Sequence, residues 1–537
     1  MTVVYPVLAC GALFAACCST ASGQFNGFAP LDPADASRVE VLCQHLRESQ
    51  LADGYICQVP YSSGYEVGLH PYFDPYALVA LLAEIRIDPE NSDIRDANLT
   101  TVRNWLVAYG RLMAPNNQLS ESERLFVDYA RRFDRQSPES APGEDDTLCY
   151  FVPQPVNVTR NGDSFVNPVP FSTGVDADDA QAGVYLLIAG LYAQHTPNDP
   201  VVPEIQGGVL AALAILERCH TAGLPYEVFM DKASGYRLCL DNIEVHYGLA
   251  GAMWYFEKFG DSARLSRVRE LAADLVVAIH QFRVITTEGD DIFTPVPFDT
   301  GRLDMQPAHG NTNLVAIARV LQHPGERDAL YSRLRERSRE RMPIDRTRLM
   351  EFGFPDDASR TSPETTLSPY WAIAAAQTSL TADRAEMQDF NRQRADHLVS
   401  QADALRGGNN FPDNYVFRDQ EHGLCVLGLL AFYGEIDELP KLPYVCVVEG
   451  DEQSNIITVL PGDPHQVWID GVAKSIPVAV RNLRIAGRGQ DAVHFGSAPG
   501  QGFRILRLDF PNVIEFTGAD SVFEILQPKE LRINAPE

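Results

Sequence analysis

Positive charge is what this sequence is short of. Its 537 residues carry 44 Lys and Arg against 72 Asp and Glu, a formal net charge of −28. Such a surface repels phosphate backbones and anionic headgroups, so nucleic acid and acidic membranes are excluded as general partners unless a local basic pocket overrides the field. Long hydrophobic runs are also missing. The apolar stretch at 3–18 is too short and too interrupted to cross a bilayer, so no membrane insertion is expected once it is removed. No CxxC or zinc-finger spacing occurs, and no metal ligand set is expected in the main body.

What remains is ordinary globular material, 45% hydrophobic and 22% charged, long enough for a large core and a second domain. The 3–18 stretch is followed by Ala21-Ser-Gly23, a small-residue cleavage site, although it lacks Lys or Arg at its start. Residues 1–23 are therefore expected to be a signal peptide and the protein to be secreted or periplasmic. Phe14-Ala-Ala-Cys17 makes a lipoprotein the minor alternative. Cleavage leaves Cys43, Cys57, Cys149, Cys219, Cys239, Cys425 and Cys446, an odd set that cannot pair completely within one chain. Asn98-Leu-Thr and Asn157-Val-Thr are glycosylation sequons if the export route is eukaryotic.

Beyond the leader, segments of helical period come in pairs. Amphipathic stretches at 35–50, 98–114, 202–219, 263–282, 326–341 and 384–406 alternate with others at 74–86, 177–194, 241–259, 308–322, 368–376 and 420–434, most of them apolar nearly all round. A helix without a polar face must be wrapped on every side. Twelve helices of alternating kind predict a mainly α protein, an (α/α)6 toroid of six inner helices sheathed by six outer ones over residues 24–438; an open α-solenoid is the competing arrangement. Past Leu439-Pro-Lys-Leu-Pro443 the period becomes two, which predicts a small all-β domain over 439–537. The connector from Arg135 to Gly174 is too long for a turn, and its aromatic residues argue for an ordered cover.

All inner helices of a toroid run one way, so their N-termini share a rim. That rim collects His70, Tyr72 and Asp74; Asp176, Asp178 and Asp179; Asp241 and Glu244; Asp304 and His309; Glu364; and Asp419, Glu421 and His422. The spacings place Asp176 with Asp179, and Asp241 with Glu244, on shared helical faces. A lone Asp at a helix start is usually a cap. Three acids within 176–179 exceed what capping needs. With Phe171 and Trp371 nearby, such a mouth suits a sugar chain: rings stack on pyranose faces while carboxylates hold hydroxyls or transfer protons. The loop Pro168-Val-Pro-Phe-Ser-Thr-Gly174, which delivers the acid cluster, is echoed by Pro295-Val-Pro-Phe-Asp-Thr-Gly301.

Asp176-Ala-Asp-Asp-Ala-Gln-Ala182 followed by Leu186-Leu-Ile-Ala189 resembles the signature of family 8 glycoside hydrolases, where an Asp-x-Asp motif opens an inner helix of an (α/α)6 barrel. The match covers about twenty residues. Val175 stands where that signature has Ser or Thr, and Glu66 is the only local counterpart of its glutamate acid. The resemblance implies kinship with six-hairpin glycosidases generally. The same Asp-x-Asp-Asp string resembles the proton-donating motif of class II terpene cyclases, but their repeated Gln–Trp motifs are absent here. In the C-terminal part, Gly450-Asp-Glu-Gln-Ser-Asn-Ile456, Gly487-Arg-Gly-Gln-Asp-Ala-Val493 and Gly518-Ala-Asp-Ser-Val522 resemble degraded hemolysin-type β-roll turns, which would imply Ca²⁺; a metal-free β domain is the plainer expectation.

The expected function is thus an exported glycoside hydrolase acting on a polysaccharide or oligosaccharide, without a cofactor. Asp178 and Glu244 are the expected catalytic pair. Asp176, Asp179, Asp241, Glu66, Tyr72, Phe171, His309, Trp371 and Glu421 are expected to bind substrate. A polysaccharide lyase using Tyr247 and His246, and a non-catalytic glycan-binding protein, are the alternatives.

Overall fold

The computed structural model describes residues 25–57, 66–69, 71–72, 74–114, 156–161, 164–170, 177–221, 228–230, 237–279, 282–296 without 287 and 289, 307–321, 324–341, 370–406 and 419–442, together with Glu123 and eight short strands beyond residue 456. Twelve α-helices are described. They are α1 (Pro33–Glu48), α2 (Asp74–Glu84), α3 (Ser92–Met113), α4 (Asp178–His195), α5 (Pro203–Cys219) and α6 (Cys239–Phe259), then α7 (Ser262–Ile279), α8 (Pro307–Val315), α9 (Pro324–Arg341), α10 (Tyr370–Ala376), α11 (Thr381–Arg406) and α12 (Asp419–Leu430).

Local chemistry starts them. Asp32 accepts a hydrogen bond from the Ala34 amide at 2.8 Å with Pro33 at the first helical position of α1, and Asn91 accepts from the Ile94 amide at 3.2 Å to cap α3. That Asn91 cap starts α3 six residues before the expected 98. Gly260, at φ 70°, ends α6 in the left-handed conformation.

The even-numbered helices form a closed inner ring: α2 packs on α4, α4 on α6, α6 on α8, α8 on α10, α10 on α12, and α12 back on α2. The toroid expected from the alternation is therefore present, and the open solenoid is not. Odd-numbered helices sheathe it. Ion pairs tie neighbouring outer helices: Arg267 to Glu217 at 3.4 Å, Arg335 to Glu386 at 2.6 Å and Arg38 to Asp396 at 2.7 Å. Closure of the chain on itself is marked by Asp35 of α1, fully buried, which accepts from Arg392 of α11 at 2.6 Å, from Tyr433 at 2.6 Å and from Arg38 at 2.9 Å.

The tightest seam in the ring is between α4 and α6, and glycine makes it. A Cβ on Gly183 would lie 2.8 Å from the Glu244 carbonyl oxygen, and one on Gly190 or Gly251 would land inside the facing backbone. Gly183 lies beside Glu244 and Gly190 beside Gly251, so the two helices run parallel with their backbones in contact. The start of α4 is strained: Ala177, just before Asp178, sits in the left-handed region at φ 57° without a side-chain cap.

Two inner helices hold the chain that approaches the mouth by the same device. Asn242 of α6 accepts from the Phe229 amide at 2.8 Å and donates to its carbonyl at 3.1 Å; Asn313 of α8 does both with Phe293 at 2.8 Å. A three-stranded antiparallel sheet, β1 (Glu66–Leu69), β2 (Val156–Asn161) and β3 (Ser164–Pro170), joins the approach to α2 with the approach to α4. The connector expected to be ordered thus contributes two of its strands. A hairpin of β4 (Arg283–Ile285) and β5 (Asp291–Phe293) precedes α8.

One glycosylation expectation fails. Asn98 is fully buried, its amide donating to the Leu81 carbonyl and to Glu84 at 2.7 and 2.8 Å, so no glycan could be attached in the fold.

Beyond the helices, β6 (Ile457–Val459), β7 (Gln466–Ile469) and β8 (Val472–Ser475) form an antiparallel meander. The strands β9 (Ala492–Gly496), β10 (Gly502–Ile505), β11 (Val513–Thr517), β12 (Val522–Ile525) and β13 (Ile533–Asn534) then alternate between two sheets. Strands β9, β11 and β13 stack in parallel in one, and β10 and β12 in the other. Alternating parallel stacking is the pattern of a β-solenoid. The glycine–aspartate turns at 450–456, 487–491 and 518–520 lie outside the described residues.

Candidate active site

Glu244 is the centre of the site. It lies in the first third of α6 with 1% of its surface exposed. Tyr72, half-buried on the turn before α2, donates to Glu244 Oε2 at 2.7 Å, and Tyr76 on α2 donates to Oε1. Both hydroxyls therefore converge on one carboxyl group. Gly423 of α12 packs against the backbone of Tyr76 and sets the depth of that helix in the ring. Tyr370, which opens α10, faces Tyr76 edge-on at 6.2 Å, and Tyr247 stands one turn beyond Glu244 on α6.

A carboxyl group so placed is hard to ionise. Burial pushes Glu244 up to about 7, with the hydrogen bonds from Tyr76 and Tyr72 pulling the other way. Burial also raises Tyr370 and Tyr247, with the charge of Glu244 adding to both. Tyr72 is raised by burial and then by the charges of Glu244 and Asp241, which places Asp241 within electrostatic reach of the same phenol. Asp241 itself is 4% exposed.

The expected acid cluster on α4 reaches this neighbourhood through the glycine seam. Gly183 is level with Glu244, so Asp179, one turn earlier, is level with the start of α6. Asp179 is fully buried and accepts from the Ala180 amide at 3.0 Å, while Asp178 is half-buried. Asp176 and Phe171 lie outside the described residues. Glu66 and His309 are placed only by their backbones, on β1 and α8, and their side chains lie outside the description.

Two expected sugar-binding residues turn the other way. Trp371 packs against outer helix α9, with Tyr331 edge-on at 5.5 Å and the Arg335 guanidinium over its ring at 5.8 Å. Glu421 pairs with Arg394 of α11 at 2.9 Å, both nearly buried. Each joins the inner layer to the outer one rather than lining the mouth. Asp74 does the same, accepting from Trp105 Nε1 of α3 at 2.8 Å. The sequence did not single out Tyr76, which lies within the apolar 74–86 stretch.

His246, two residues past Glu244, is buried and held down at about 4 by that burial. Among the described residues no group of three His, Cys, Asp or Glu side chains is placed to hold a metal ion. What the arrangement offers is a carboxylic acid that keeps its proton up to about pH 7, two phenols that can stabilise its anion, and further carboxyl groups on the adjoining helix starts.

No protein-family model matches this chain, and no curated protein matches it. Solved structures do. A glycosidase variant is 14% identical over 76% of this chain and 99% of its own, with a TM-score of 0.44. A second glycosidase variant, in complex with glucose, gives 14%, 76%, 99% and 0.43, and the wild-type glycosidase 12%, 75%, 99% and 0.44.

Proposed function

We propose that this protein is a glycoside hydrolase whose general acid is Glu244. The observation that carries the proposal is a buried carboxyl group, held at about 7, that receives two tyrosine hydroxyls inside a closed ring of helices. In the reaction, Glu244 protonates the glycosidic oxygen as the bond to the anomeric carbon breaks. Tyr72 and Tyr76 hold the carboxylate that results, replacing the water it would otherwise need. Asp178, at the strained start of α4, is the second carboxylate, activating water or attacking the anomeric carbon. Asp176, Asp179 and Asp241 hold hydroxyls.

The lyase reading draws less support. It needs a base beside the sugar carbon, and burial holds the Tyr247 phenol above its ordinary range and leaves His246 a weak base at about 4. The apolar leader at 3–18 and Ala21-Ser-Gly23 support an exported protein acting on an extracellular or periplasmic glycan.

The test is turnover on a panel of glycosides, read both as new reducing ends and as absorbance from a new double bond. Reducing ends without that absorbance are expected. Glu244→Gln and Asp178→Asn should each lower turnover by about 10²–10⁴, the usual loss when a general acid or base is removed. Turnover within about tenfold of wild type in either variant refutes that residue's role.

A further inference from the structure

The C-terminal end of α8 breaks the α-helical register. Ala316–Val320 forms a π turn, closed by the Leu321 amide on the Ala316 carbonyl at 2.8 Å. Single π turns inside helices occur often at functional sites. This one carries Arg319, which is 2% exposed, about as closed to solvent as Glu244. Its Nη1 donates to the Ile436 carbonyl at 3.1 Å, while Nε and Nη2 meet no hydrogen-bond acceptor among the described residues.

An unfilled guanidinium edge in the interior is costly, because those N–H groups have lost water and gained nothing. Guanidinium stays charged at any physiological pH, so deprotonation gives no escape. Nor do the acids nearby supply the missing partner. Glu435 pairs with Lys441 at 2.8 Å, and Glu438 and Asp437 pair with Arg86 at 2.9 and 3.3 Å. Tyr247, one turn from Glu244 on α6, lies within electrostatic reach of the guanidinium.

Nε and Nη2 form the lateral fork of an arginine, and three other arginines of this chain close that fork on one carboxylate. Arg38 grips Asp396 with it at 2.7 and 3.0 Å, Arg283 grips Asp291 at 2.9 and 2.6 Å, and Arg392 grips Asp35 at 2.9 and 2.6 Å. Two parallel N–H groups match the two oxygens of a carboxylate. From the empty fork, its π turn and its place beside Tyr247, we infer that Arg319 is a carboxylate receptor in the same ring interior as Glu244, and that the glycan taken there carries a uronate. The inference rests on the hydrolase reading of Glu244. It also resolves an apparent conflict with the acidic surface: a single buried cation supplies the local exception that the overall field of −28 otherwise forbids.

The experiment is calorimetric titration of the full-length Glu244→Gln variant with 4-nitrophenyl glucuronide and galacturonide, against the corresponding glucoside and galactoside. At least one uronide should bind about tenfold or more tightly than its neutral counterpart. Adding Arg319→Gln should abolish that preference and leave neutral binding unchanged, and Arg319→Lys, which keeps the charge without the fork, should restore only part of it. Equal binding of neutral and acidic glycosides, a preference that survives Arg319→Gln, or no uronide binding overturns the inference. Failure of the hydrolase reading looks different: Arg319-dependent uronide binding with no nitrophenol released by the wild type. As a control on folding, Arg319→Met should melt no lower than wild type, since losing a buried charge with two unmet donors offsets the lost bond to the Ile436 carbonyl. A fall of more than about 3 °C would make Arg319 a structural brace and overturn the assignment.

Discussion

Glu244 sits where two demands on a carboxyl group oppose each other. Burial favours the neutral acid, and two phenols favour the anion; burial wins, and the group is held at about 7. The consequence for stability has a definite sign. A folded-state value above the ordinary 4.5 means that the native protein binds this proton more tightly than the unfolded chain does. The contribution of Glu244 is therefore fully present below pH 4.5 and is lost as pH rises towards 7. Glu244→Gln, which cannot ionise, should remove this loss, so that above pH 7 the variant gains up to about 3 kcal/mol relative to wild type compared with their difference at pH 4. Denaturant melts across that range check it; parallel curves would show that Glu244 ionises normally. Much of this residue's setting was legible, because the spacing from Asp241 placed it one turn inside an apolar helix where an acid needs a reason. Arg319 was not legible, since nothing in the residues around it announces a π turn.

At the scale of elements, the acids of α4 and α6 share a neighbourhood only because two helices touch backbone to backbone. Gly183, Gly190, Gly248 and Gly251 leave no room for a methyl group between them. Gly251→Ala would drive its Cβ into the Leu186 carbonyl and force the helices apart, a change expected to destabilise the fold by about 1–3 kcal/mol or more and to lower activity by moving Asp178 away from Glu244. Gly260→Ala, at a helix end with nothing within 4 Å, changes the backbone at φ 70° but not the seam, so it should lose stability while leaving the residual activity of the folded fraction intact. Thermal melts paired with turnover per folded molecule separate the two.

The alternation of polar-faced and fully apolar segments made the helices and their layers readable in advance. It could not say which way Trp371 or Glu421 points. A helix buried on all sides has no polar stripe, so its sequence carries no marker of which face meets the axis and which meets the outer layer. Both residues turned out to face outwards, towards α9 and α11.

At the scale of the whole molecule, the ring exists because the last helices return to the first. Asp35 is the point of return, buried and bound by Arg392, Tyr433 and Arg38. Burial tends to raise its carboxyl, but the bonds from Arg392 and Tyr433 outweigh it and hold the group below its ordinary value. Its contribution is thus present at neutral pH and disappears as pH falls below the ordinary range. Asp35→Asn should cost about 3 kcal/mol at pH 7, with the gap to wild type narrowing below about pH 4. A gap that stays constant into acid would mean that the carboxylate charge does not close the ring. That a ring would close was readable from six pairs followed by a change of period; the staple that closes it was not, because it joins residues almost 400 positions apart.

The central claim, that Glu244 acts as a proton donor tuned by its tyrosines, is tested most directly by the pH dependence of kcat/KM for wild type and Tyr76→Phe on a cleaved glycoside. The account predicts a wild-type profile falling above about pH 7 and a Tyr76→Phe profile whose fall is moved to higher pH by up to about one unit, because the variant loses a bond that favours the anion. A descending limb that stays in place when Tyr76 is replaced, or that moves to lower pH, would contradict it.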